Sequence, residues 1–157
     1  MIEFFLDSAY TVLGVVALIL TLENVEKKRF LEYVEHNSHP WIPGYNIRML
    51  IAILSYAFQG HGMFLISLEK KDSPAIIFLY VFSLVTGLLW YFTFYNFKAL
   101  RTSLTISFFS VVLSVHIFWK WYLMGLFIWL FMIPYTTNMV INFTVSLHMF
   151  QKIALLK

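Results

Sequence analysis

The sequence predicts an all-α integral membrane protein, a single bundle of five transmembrane helices, and three observations predict it. Of its 157 residues, 61% are hydrophobic and 12% charged, against about one quarter charged in soluble domains. The charges sit in short clusters that leave long uncharged runs between them. Each run is continuously apolar, unlike a membrane strand's roughly ten alternating residues. In hydrocarbon such a run satisfies its backbone groups internally, as helix.

The first span is expected at 4–22 and the second at 47–68, with Arg48 at its mouth and Gln59 and His61 inside it. Both match the about 20 residues, at about 1.5 Å each, that cross a bilayer. The third is expected at 73–97, between Asp72 and Lys98, and the fourth at 102–119, between Arg101 and Lys120. The uncharged run after Lys120 is longer than one crossing and too short for two, so it reads as one long helix over 122–150. Pro134 sits near its middle and is expected to kink it. The remaining segment, 23–46, divides in two. Its first half places Val25, Phe30, Leu31 and Val34 on one side of a helix that would lie on the membrane surface. Its second half, with Pro40, Pro43 and Gly44, reads as an ordered turn or lid.

Composition removes several functions. The absence of cysteine excludes disulfides, thiolate metal sites and cysteine nucleophiles. A net charge of +3 scattered among helix ends gives no clustered basic face for nucleic acid. Glu3 and Asp7 precede any base, so the first run reads as a retained helix rather than a signal peptide. With the N-terminus outside, eight of the eleven Lys and Arg residues fall inside, which orients the C-terminus inward. All eight carboxylates belong to loops or helix ends, so no acid/base pair is gathered in the spans.

His36, His39, His61, His116 and His148 lack the spacing of a helical metal site, and no metal is expected. His61, between two glycines in a span, is the polar residue most expected to face the bundle interior or a ligand. His116 and His148 read as hydrogen-bonding residues between helices. Trp119, Trp121 and Tyr122, beside Lys120, fit an interfacial aromatic belt. Asn142-Phe143-Thr144 has the glycosylation pattern but lies inside the fifth span, out of reach. Leu89, Tyr95 and Lys98 match a permissive sterol-contact pattern.

Pro40-Trp41-Ile42-Pro43 before the second span, Trp90 in the third and Pro134-Tyr135 in the fifth occur in order. Tyr56, Ala57 and Gly60 fall in the second span, Tyr80 and Leu84 in the third. Over residues 30–150 this pattern resembles the tryptophan-rich sensory protein/translocator protein (TspO/MBR) family. The chain departs from it at Gly44, where the family has a second proline, and near Asn46, Ala52 and Asn138, where it has tryptophans. Gly87 and Ser146 stand where it has asparagines. The resemblance implies a five-helix bundle, often a homodimer, whose cavity under the first loop binds porphyrins, sterols and synthetic isoquinoline or benzodiazepine-type ligands.

On that basis the expected function is a membrane receptor or carrier for a tetrapyrrole (porphyrin or haem) or sterol-like ligand. The expected ligand residues are Trp41, Pro43, Tyr56, Trp90, Pro134, Tyr135 and Asn138. Trp41 and Trp90 would stack on the ligand and Asn138 would hydrogen-bond it. No cofactor is required. Two alternatives stand beside this reading. One is an enzyme, a porphyrin-degrading activity or small membrane isomerase, with His61 and His148 as candidates; the other is a structural or assembly protein. The expected location is a bacterial cytoplasmic membrane.

Overall fold

The computed structural model describes residues 2–24, 34, 36, 40–125 and 127–155, excepting the side chains of 2–7, 154 and 155. All regular structure among them is helical. The five main helices are α1 (Ile2–Glu23), α2 (Tyr45–Leu68), α3 (Pro74–Tyr91), α4 (Leu100–Leu123) and α5 (Met132–Leu155). A π-helical turn, Phe92–Asn96, extends α3, and a 3₁₀ turn, Phe127–Phe131, leads into α5. Four segments are long and apolar enough to cross a membrane: Tyr45–Leu68, Pro74–Asn96, Leu100–Leu123 and Phe127–Ile153. Ser8–Glu23 within α1 is a shorter apolar helix. Large apolar side chains such as Val12, Phe78, Phe108 and Val112 point outward unprotected. That surface fits an integral membrane protein with lipid around it.

The helices close a ring in which α1 packs on α2, α2 on α5, α5 on α4, α4 on α3 and α3 back on α1. Small residues permit the closest contacts, as membrane bundles require. Along α4, Ser103, Ser107, Ser110 and Ser114 form one buried stripe toward α5 and α3. Each of these hydroxyls donates to a carbonyl three or four residues back, so none is stranded. Between α1 and α2 the approach is tighter. A Cβ on Gly60 would lie 2.2 Å from the Tyr10 carbonyl oxygen, which also accepts a 3.1 Å bond from the Tyr80 hydroxyl of α3.

The third and fourth membrane segments run close to their expected ranges, but the long run after Lys120 does not form one helix from 122. α4 continues to Leu123, and the chain then turns through Met124 and Gly125, the latter at φ +74°, a conformation that glycine adopts without a Cβ penalty. Pro134 therefore falls in the first turn of α5, directly after the 3₁₀ turn, where proline is better tolerated than in a helix interior. It is thus not the mid-helix proline expected, and α5 continues as α-helix to Leu155. Pro134→Ala is accordingly expected to change thermal stability by less than about 1 kcal/mol, against about 3 kcal/mol for a proline inside a helix. A large gain in stability on removing the ring, measured by thermal unfolding in detergent, would show a strained α5. The surface helix expected early in 23–46 lies outside the described residues except for Val34, which is buried, and His36, which is exposed.

Candidate functional site

The interior of the bundle has a floor and, nearer the 40–44 turn, a polar cluster. The floor is a hydrogen-bond network centred on Ser83. Gln59 Nε2 donates to the Ser83 hydroxyl at 2.7 Å, that hydroxyl donates to the Tyr80 carbonyl at 2.7 Å, and the Tyr135 hydroxyl donates to the Ser83 carbonyl at 2.6 Å. These bonds tie α2, α3 and α5 at one depth. Tyr56 and Tyr135 pack edge to face there, ring centroids 5.6 Å apart. Gly87 makes room for them, since a Cβ at that position would meet the Tyr56 hydroxyl at 2.4 Å and the Tyr135 hydroxyl at 3.1 Å. Tyr56 and Tyr135 are both fully buried, and the Tyr56 hydroxyl has no hydrogen-bond partner.

The polar cluster starts one helical turn further along the bundle, at Asn138, and reaches the depth of Arg48, eight residues or about 12 Å back from Tyr56. Asn138 and Asn142 are one helical turn apart and share a face of α5 with Ser146, and all three are buried. The Trp90 indole donates to the Ser146 hydroxyl at 2.8 Å and stacks on Phe94 at 4.8 Å and 17°. The amides of Asn138 and Asn142 lean toward the Tyr91 hydroxyl, and the Arg48 guanidinium acts on it electrostatically. Neither amide nitrogen closes a hydrogen bond. The π turn helps to fill this end with rings, because five of the six residues 90–95 turn inward. Tyr95 of that turn meets Tyr45 of α2 edge to face at 6.4 Å.

Of the expected ligand residues, the structure gathers Tyr56, Tyr135 and Asn138 along one side of α2, α3 and α5, with Trp90 on the same inner side of α3. Trp41 is not among them. It faces outward at 63% exposure while its neighbour Ile42 turns in. Pro43 is half-buried in the turn before α2. Pro134 is half-buried beside Tyr135, at floor level rather than under the 40–44 turn. Loop and proline therefore do not face the same space.

The histidines also depart from expectation. Gly60 and Gly62 take the inward positions of α2, and half-buried His61 packs on Phe131, ring centroids 5.2 Å apart. His116 is exposed on the outward face of α4 instead of bonding between helices, and His148 is half-buried on α5. Two cavities, of about 240 and 340 Å³, border the 3₁₀ turn at the opposite end of the bundle from Arg48. Leu65 and Phe131 line the first and Tyr122 and Trp129 the second.

Arg48, Tyr91 and Asn142 are not among the expected ligand residues, although the sequence marks Arg48 at a helix mouth, Tyr91 as a possible member of an aromatic ligand cage and Asn142 in a glycosylation pattern. One signal was present: Tyr135, Asn138, Asn142 and Ser146 recur at helical spacing, a polar stripe in an otherwise apolar segment. The fold and this cluster define a helical membrane protein with donor-rich chemistry inside an aromatic bundle. Compared with protein-family models and with curated protein sequences, the chain matches none.

Proposed function

We propose that the chain is a membrane receptor or carrier for a flat hydrophobic ligand of the tetrapyrrole or sterol class, as a divergent TspO/MBR-like five-span bundle. The ligand would sit on the loop side of the Tyr56–Tyr135 floor, among α2, α3 and α5. The observation that carries this reading is the set of buried polar atoms without partners inside an aromatic enclosure: Tyr56 Oη, Asn138 Nδ2 and Asn142 Nδ2. Each such atom costs about 1–3 kcal/mol if left unmet, and polar groups within membrane spans gather around ligands and pathways. Rings such as Trp90 and Tyr95 offer a flat apolar wall, and the amides would orient what binds. The colinear Pro/Trp/Tyr pattern supports the same class. The lysine and arginine distribution supports a C-terminus on the cytoplasmic side.

Titration of the purified chain with a porphyrin, followed by tryptophan fluorescence, tests the proposal. Saturable quenching is expected, with most of it lost in Trp90→Phe and little in Trp41→Phe, because Trp90 is buried on the inner side of α3 whereas Trp41 faces outward. Equal quenching in wild type and the Trp90 variant would remove the ligand from this position.

A further inference from the structure

We infer that Arg48, Asn138 and Asn142 form a seat for a carboxylate, so that the ligand is a hydrophobic acid rather than a neutral molecule. This rests on the ligand class proposed above and names the group by which the ligand is held. Arg48 is 3% exposed, although it lies in a helix long and apolar enough to cross a membrane. Its Nε has no hydrogen-bond partner. A guanidinium stays charged at any accessible pH. A buried charge left uncompensated is strongly destabilising, and more so in a lipid environment.

Its position adds to the excess of positive charge. Arg48 belongs to the first turn of α2, a turn that has no acidic residue and no side-chain cap. A helix N-terminus carries partial positive charge of its own. The neighbouring unmet atoms point to the same chemistry. Arg48 Nε, Asn138 Nδ2 and Asn142 Nδ2 are all donors. What the cluster needs is an acceptor-only group with several lone pairs and a negative charge. A carboxylate is such a group, and its planar pair of oxygens matches the guanidinium fork. The Tyr91 hydroxyl lies beside both amides. Trp90, Tyr95 and Tyr45 pack on one another at the same end of the bundle, an aromatic surface suited to an otherwise apolar ligand.

The test compares a porphyrin dicarboxylic acid with its dimethyl ester on the full chain in zwitterionic nanodiscs. The acid is expected to bind at least tenfold more tightly. Arg48→Met should abolish that preference, and Arg48→Lys should retain part of it. Equal affinities of acid and ester for the wild-type chain would overturn the seat without any appeal to a variant's folding. So would a preference that persists in Arg48→Met. Should neither porphyrin bind, the ligand class fails, and the seat is judged on a long-chain fatty acid against its methyl ester. Preference for that acid upholds the seat, and indifference overturns it. Repeating the titration in phosphatidylglycerol nanodiscs separates the two sources of an anion. An unchanged acid preference assigns the seat to the ligand's carboxylate, whereas its collapse assigns the seat to lipid phosphate and contradicts the proposal.

Discussion

Replacing Gly60 by alanine is expected to push α1 away from α2 and to cost about 1–3 kcal/mol, the range for overfilling a packed interior. The added Cβ would lie 2.2 Å from the Tyr10 carbonyl oxygen, 2.7 Å from its carbon and 2.8 Å from Thr11 Cα. All three are backbone atoms, so no side-chain rotation relieves the contact and the helix itself must shift. The same carbonyl accepts the Tyr80 hydroxyl, so α3 loses its tie to α1 in the same event. Gly60→Leu should be worse than Gly60→Ala. Gly44→Ser is the control: it has open space around it, and serine is at least as good as glycine at a helix N-cap. Thermal unfolding in detergent separates them. A Gly60→Ala chain as stable as wild type would mean that α1 does not approach α2 so closely.

The second large effect concerns the floor. Gly87→Ala places a Cβ 2.4 Å from the Tyr56 hydroxyl. That ring is fully buried against Tyr135, so it has little freedom to retreat. We expect a loss of about 1–3 kcal/mol and weaker ligand binding. Tyr56→Phe has the opposite sign. It removes a buried hydroxyl without a partner and should stabilise by up to about 1 kcal/mol. The double variant should then be more stable than the sum of the two single changes, because the clashing oxygen is gone. Groups in contact couple by about 0.5–3 kcal/mol in such cycles. Simple additivity would place Gly87 elsewhere.

Much of the architecture was legible because charge marks membrane boundaries. Asp72, Lys98 and Arg101 bracket the third and fourth segments, and the helices end close to them. The break at Met124–Gly125 was not legible by the same rule, since no charge marks it. Its local signal was one glycine, whose positive φ appears only in the folded chain. Reading through that glycine moved Pro134 from a first turn to a mid-helix position and so predicted a kink.

The site was harder to read, for a different reason. Aromatic and proline residues drew attention to Trp41, yet in an extended turn neighbouring side chains alternate, and Ile42 took the inward place. Asn142 matched a modification pattern that its place inside a span rules out, and beyond its place in the polar stripe the residue carried no other local signal. Its meaning emerges only from the helical register that puts it below Asn138 and above Ser146. Arg48 looked like a charge at a helix mouth, where long basic side chains usually reach out to the headgroups. Its burial, at 3% exposure, is a property of the folded bundle that no local pattern states. The π turn after Tyr91 likewise had no sequence marker.

The most direct test of the central claim is a structure of the chain with a porphyrin bound. The ligand is expected among α2, α3 and α5, with its ring system beside Trp90 and a carboxylate within hydrogen-bond distance of Arg48 and the Asn138 and Asn142 amides. A ligand found in the cavities beside the 3₁₀ turn, or on the outward face of α1, with Arg48 untouched, would contradict it.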